Sequence, residues 1–195
     1  RDFCLSRGLG DVYKRQIPNL VYLAPSCKDE LLRMLDWAME QEAFPVAIRL
    51  PVTLPSVLAN MPKEPIELNK SETVHSGHRI ALLGLGGFLE LAEQTAEEFK
   101  KSGYDVTLVN PRFINAVDEE VLEKLREDHD TVIVLEDGTL DGGYGEKVAR
   151  FYGDKPVRVF CFGAKKEFTD RVPAEVLYRR YGSVSYTHLT LPTIA

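Results

Sequence analysis

The chain has 195 residues, with 30 acidic against 24 basic side chains and a formal net charge of −6. An acidic balance of this kind repels phosphate backbones, so nucleic acid is not an expected partner. No apolar run approaches the ~18 residues of a membrane span, and the length allows one or two domains.

The two ends do not read like the rest. Ser6–Gln16 (SRGLGDVYKRQ) and Val184–Thr193 (VSYTHLTLPT) resemble translations of the transposon adapter used in DNA library preparation. The codons GAT GTG TAT AAG AGA CAG encode Asp11–Gln16. Their reverse complement, in a shifted frame, encodes Val-Ser-Tyr-Thr-His, the sequence of Val184–His188. Residues 1–16 and 184–195 are therefore read as adapter-derived scars and set aside from fold reasoning. The protein's own sequence is expected to fill 17–183. Without the ends the net charge becomes −8, and Cys27 and Cys161 remain, far apart and without metal-ligand spacing. That usage fits a reducing cytosol.

Asn19–Pro25 (NLVYLAP) predicts a buried strand. Ser26–Gln41 predicts an amphipathic helix with Ser26 as its cap, Asp29 as capping-box partner, and Leu31, Leu32, Leu35, Trp37, Ala38 and Met39 on its apolar face. Phe44–Pro51 (FPVAIRLP) predicts a second strand, closed by proline. Together they make a βαβ unit. Residues 52–78, punctuated by Pro55, Pro62 and Pro65 and lacking a sustained period, read as a linker.

A second alternation follows. Strands are predicted at Ile80–Leu83, Asp105–Pro111, Thr131–Asp137 and Pro156–Gly163. Helices are predicted at Phe88–Lys101, stopped by Gly103, at the acid-led Asp118–Asp130, at Gly145–Gly153, and at Pro173–Gly182. Strands alternating with helices imply an α/β fold with a mostly parallel sheet, covered on both faces and joined by right-handed crossovers.

Two glycine turns invite a phosphate reading. Gly84–Gly87 (GLGG) has Leu89 at the third glycine position of a dinucleotide fingerprint, and the next strand ends in Asn110 rather than an acid; a tight turn is favoured. Glu136–Lys147 (EDGTLDGGYGEK) lacks the Lys-Ser/Thr pair of a P-loop, and Glu136, Asp137 and Asp141 repel phosphate. Paired acids leave Mg²⁺ binding or acid–base work open, with solvated or capping carboxylates the commoner outcome. The glycines then serve a left-handed turn or the close approach of another segment. His75, His78 and His129 have no ligand spacing and read as surface residues. Arg49 ends a strand at the carboxyl edge, where open α/β sheets bind ligands. Its guanidinium either clamps a phosphate or carboxylate or pairs with a neighbouring acid, and Arg112 raises the same two options.

Three stretches carry a family resemblance: Ile17–Pro51, Val109–Leu125 (VNPRFINAVDEEVLEKL) and Val132–Phe151. They are similar to the C-terminal part of 1-deoxy-D-xylulose-5-phosphate synthase, a transketolase-like family. The trailing Gly163–Gly182 is similar as well, so the resemblance covers nearly all of 17–183. It implies the end of a pyrimidine-binding domain at 17–51, a linker at 52–78, and a transketolase C-terminal-type three-layer α/β domain at 79–183. It also implies a transferase that uses thiamine diphosphate and Mg²⁺ to join pyruvate to glyceraldehyde 3-phosphate with loss of CO₂, feeding isoprenoid, thiamine and pyridoxal synthesis. The implied enzyme is a cytoplasmic homodimer with composite active sites and no membrane association. The family's Gly-Asp-Gly…Asn metal motif and its cofactor-activating glutamate lie upstream of these residues, so no catalytic, cofactor or metal residue is named and the chain alone is expected to be inactive.

The site residues carried over are Arg49 and Arg112, as substrate-binding. The family strand ends Arg-Tyr-Pro-Arg-Gly; here it reads Arg49-Leu50-Pro51-Val52-Thr53. Val52 replaces the second arginine, which the family uses to grip substrate phosphate, and this opens the question of the acceptor. Arg112 matches the family's Arg-Phe, while Asn115-Ala116-Val117-Asp118 replaces the common Lys-Pro-Leu-Asp. The Glu136 stretch matches the family's Glu-Glu…Gly-Gly…Gly segment and is read as a packing turn near a dimer core. Transketolase, a 2-oxoacid dehydrogenase β-type subunit, a non-catalytic α/β interaction module and, last, a nucleotide-binding domain are the competing readings.

Overall fold

The computed structural model describes residues 17–50, 54–55, 58, 64–165 and 176. The adapter-like ends, Val52 and all of the last predicted helix except Val176 lie outside them.

The first unit is strand β1 (Val21–Leu23), helix α1 (Lys28–Glu40) and strand β2 (Val46–Ile48), with β1 and β2 parallel. β1 is buried along its whole length because it is paired on both edges. One edge holds β2; on the other, Ala24 N–H donates to Arg112 C=O and Ile114 N–H to Tyr22 C=O, both at 2.8 Å. The helix starts one residue later than predicted. Its cap is Cys27, whose Sγ accepts from Glu30 N–H at 3.5 Å. Glu30, three residues on from that cap, reaches back to Ser26 in place of Asp29. Of the predicted apolar face, Leu31, Trp37 and Ala38 are half-buried, while Leu32, Leu35 and Met39 are exposed. Met34 and Glu30, four residues apart, occupy the buried stripe.

The second unit is a five-stranded sheet in the order β3 (Glu72–His75), β5 (Thr107–Asn110), β4 (Arg79–Leu85), β6 (His129–Thr139), β7 (Arg158–Ala164). All pairings are parallel except β3 with β5. Side-chain alternation splits the sheet into two apolar faces. Ala81, Leu83, Val109, Val132 and Val134 pack against helices α3 (Glu119–Asp128) and α4 (Tyr144–Tyr152). Ile80, Leu82, Leu108, Ile133 and Leu135 pack against α2 (Leu89–Lys101), which follows a single 3₁₀ turn at Gly86–Phe88. Each fully buried leucine or isoleucine contributes about 1.5–3 kcal/mol. The result is the predicted three-layer α/β architecture.

Gly103 takes φ +85° and ends α2, as its position predicts. Asp118 caps α3 through Oδ1, which accepts from Val121 N–H at 3.3 Å. β3 differs from expectation, because it lies in the stretch read as linker. Its inward residue is Glu72, 6 % exposed, so no apolar alternation marks it. The Glu72–Arg112 ion pair and the half-buried Val74 together tie this strand down.

Candidate functional site

Helices α2 and α4, which follow the adjacent strands β4 and β6, lie on opposite faces of the sheet. The carboxyl ends of β4 and β6 therefore frame the crevice where open α/β sheets bind ligands. In this chain the first unit enters that crevice. Gly86, at the end of β4, has φ +62°. A Cβ on it would lie 3.2 Å from Ala24 Cβ and 3.6 Å from Arg49 Nη2. The GLGG turn is thus bare so that the ends of β1 and β2 can approach it. Arg49, just past β2, is ion-paired through Nη2 to Asp137 Oδ1 of β6, with 13 % and 20 % of the two side chains exposed. A dinucleotide would have to displace this contact, which disfavours the nucleotide-binding reading.

Arg112 follows β5 with φ +64° and is 1 % exposed. Its Nε donates to Glu30 Oε1 at 2.9 Å, Nη1 to Pro65 C=O at 3.0 Å, and Nη2 to Glu64 C=O at 3.0 Å and to Glu72 Oε2. Asn110 Nδ2 also donates to Glu30 Oε1 at 2.9 Å. The other Glu30 oxygen accepts from Ser26 N–H at 2.8 Å and from its hydroxyl at 2.5 Å. Of the two options open for Arg112, the structure shows ion pairing. One guanidinium joins α1, β3, the 64–65 segment and β5. The pattern that marks Glu30 in the sequence is a carboxylate four residues before Met34, on the buried helix stripe; Glu72, Asn110 and Asp137 carry no comparable signal.

The second glycine turn is likewise filled from within the chain. Glu136, fully buried at the carboxyl end of β6, accepts from Tyr144 N–H at 2.9 Å and from Gly145 N–H at 3.1 Å. Its carboxylate occupies the N-terminus of α4, where a phosphate would otherwise sit, and complements the helix dipole. A Cβ on Gly143 would overlap that carboxylate and come 2.7 Å from Thr139 C=O. This gives the turn an intramolecular reason. Cys161 lies beside it, and burial, aided by the Glu136 and Glu146 charges, pushes its thiol up to about 11.

The histidines divide. His75 and His78 are exposed, and His75 Nε2 lies 2.8 Å from Asp105 Oδ1. That contact holds the Asp105 carboxyl below its usual range. His129, read as a surface residue, is instead 7 % exposed. Its ring sits 2.9 Å from Leu125 C=O and 2.8 Å from Thr107 Oγ1, so hydrogen bonds rather than water satisfy it.

A diphosphate and its metal do not fit the described residues. Among them no group of three or more His, Cys, Asp or Glu is placed to hold a metal ion, and the N-terminus of α4 is taken by Glu136. No helix among the described residues is long and apolar enough to cross a membrane.

Residues 69–184 match the transketolase C-terminal domain family, and the match takes in β3. The chain is 36 % identical over 179 residues to 1-deoxy-D-xylulose-5-phosphate synthase of Acidobacterium capsulatum, covering 90 % of the chain and 28 % of that protein. With the enzyme of the same name from Clostridium tetani it shares 33 % identity over 172 residues, 87 % of the chain and 28 % of the relative. The chain thus spans little more than a quarter of these curated relatives. Among solved structures, a split-gene transketolase described as an inactive β4 tetramer superposes with a TM-score of 0.75 at 22 % identity, over 88 % of the chain and 55 % of that structure. Transketolase of Campylobacter jejuni gives 0.65 at 19 % identity, over 87 % and 25 %. The five-stranded sheet, its three layers and a match over more than half the length place the chain in the transketolase C-terminal domain family.

Proposed function

We propose that these residues are part of a thiamine diphosphate-dependent transferase that joins pyruvate to glyceraldehyde 3-phosphate with loss of CO₂, forming 1-deoxy-D-xylulose 5-phosphate. One observation carries this reading. The likeness to synthases of that name runs through both units, over about 90 % of the chain, and not through the C-terminal domain alone. The same reading makes the enzyme a cytoplasmic homodimer that uses Mg²⁺, with the cofactor held by chain beyond these 195 residues and with this chain inactive alone.

Within that reading the described residues shape the site. Arg49 presents a guanidinium at the carboxyl edge of the first unit, suited to an anionic group on a substrate. Arg112 acts through Glu30 and Glu72 by fixing the wall behind that edge. Val52 favours a second version of the reading, a transketolase-like enzyme with another acceptor, because it stands where the family strand has arginine.

The test is product identification. The protein encoded by the intact gene, given thiamine diphosphate, Mg²⁺, pyruvate and glyceraldehyde 3-phosphate, is expected to form 1-deoxy-D-xylulose 5-phosphate, seen by NMR of the mixture. A different ketose product would reassign the acceptor, and no carbon–carbon bond formation would refute the synthase reading.

A further inference from the structure

Helices α3 and α4 pack on the same face of the sheet, and the groove at their outer side leaves a cavity of about 320 Å³. That volume lies within the ~300–1,000 Å³ range of small-molecule sites. One wall is Asn115, Ala116 and Val117, the stretch that leads from β5 into α3; the other is Lys147, Arg150 and Phe151 of α4. About a turn further along both helices the groove is bridged, where the Tyr152 hydroxyl donates to Leu122 C=O at 2.6 Å and Lys155 Nζ to Glu123 Oε2 at 2.8 Å. The walls stand without a ligand. Asn115 Nδ2 donates to Leu20 C=O, and Asn115 Oδ1 accepts from Tyr22 N–H at 3.2 Å. Asp118, at the start of α3, accepts from Ser71 N–H at 2.8 Å and from Val121 N–H at 3.3 Å. Such a preformed cavity costs a ligand little ordering of the protein.

Charge selects what fits. Lys147 and Arg150, three residues apart, share one side of α4. Arg150 is exposed, and among the described residues no side chain pairs with its guanidinium. The neighbouring acids Asp118 and Glu123 are engaged elsewhere, Asp118 as above and Glu123 by Lys155 and Arg126. Glu119 is the single acid in the lining, so the cavity carries one net positive charge. A second negative charge on a ligand would meet Glu119 and be repelled. Ala116, Val117 and Phe151 supply an apolar surface, and Lys155 Nζ, 3.5 Å from the Phe151 ring centroid, holds that ring in place.

We propose that this groove binds a small organic monoanion, a carboxylate with a compact apolar body. Its carboxylate lies between Lys147 and Arg150, and its body rests on Ala116, Val117 and Phe151. The site belongs to the C-terminal domain and is independent of the synthase reading.

The experiment is an NMR titration of the 195-residue chain with benzoate, followed at the backbone amides. Saturable shifts with a millimolar Kd are expected, centred on 115–117 and 147–151. Benzamide, of the same shape without the charge, and acetate, with the charge but no ring, are each expected to bind at least about tenfold more weakly. Arg150→Gln is expected to weaken benzoate about tenfold. Glu119→Gln is expected to tighten it about threefold and to let inorganic phosphate shift the same amides, a gain that damage to the fold would not produce. Benzoate shifts that are absent, unsaturable or centred elsewhere overturn the proposal. So does equal binding of benzamide, or a Glu119→Gln variant with unchanged affinity.

Discussion

Replacing Arg112 with methionine isolates the energetics of the joint between the two units. The side chain is 1 % exposed and its partners Glu30 and Glu72 are 0 % and 6 % exposed, so the substitution leaves two carboxylates without their cation in a region water does not reach. Breaking a buried pair by removing one partner costs about 3–5 kcal/mol. Folded domains have only about 5–15 kcal/mol in total, so the change takes about a fifth of the stability or more. At this chain length each kcal/mol lowers Tm by about 2–4 °C, which gives a fall of roughly 6–20 °C. The assay is urea and thermal unfolding of the 195-residue chain at neutral pH, followed by circular dichroism. The triple variant Arg112→Met, Glu30→Gln, Glu72→Gln carries no unpaired charge and is expected to recover most of the loss. If Arg112→Met costs less than about 1 kcal/mol, or the triple variant is worse than the single one, the buried-triad reasoning is refuted.

Three further outcomes follow from the glycine turn and its neighbours. Gly143→Val forces Cβ into Glu136 and is expected to destabilise the chain by roughly 3 kcal/mol or more, seen as a lower urea midpoint at any protein concentration; a loss confined to dimerisation would place the turn at an interface instead. Glu136→Ala leaves the Tyr144 and Gly145 N–H groups without their acceptor, at about 1–3 kcal/mol each, and hydrogen exchange at those two amides is expected to quicken most. Cys161 has a thiol pKa raised from 9.0 to about 11, so the folded chain binds that proton more tightly than the unfolded chain does. Its contribution to stability is present below pH 9 and is lost as pH rises toward 11, a loss that Cys161→Ala is expected to abolish; alkylation of Cys161 in the folded chain is expected to be slow at neutral pH.

The second unit is legible in the sequence because its central strands are buried on both faces and because Asp118 and Gly103 cap and stop its helices. Ile80–Leu83 and Thr131–Leu135 are continuous apolar runs of the kind a central parallel strand requires. Gly103 and Asp118 mark helix boundaries by local chemistry alone. Legibility failed where a charge does the work of an apolar side chain. β3 turns Glu72 inward where an apolar residue would mark a strand, and in α1 the buried member of the first turn is the charged Glu30. His129 is buried although its neighbours in sequence are polar, because its ring lies against Leu125 C=O and Asp128 on one side and Thr107 Oγ1 of β5 on the other. The acids near the end of β6 are hostile to phosphate, and one of them, Glu136, is itself the anion that fills the cradle. The partners of Arg49 and Arg112 lie between 40 and 88 residues away, a separation over which a single sequence carries no pairing signal.

The proposed function stands on acceptor-dependent chemistry by the protein of the intact gene. The most direct test is CO₂ release from pyruvate by the protein of the intact gene, with and without glyceraldehyde 3-phosphate. The account predicts slow release from pyruvate alone and a rate that climbs to saturation with the acceptor. Release at one unchanging rate, whatever the acceptor concentration, would contradict it.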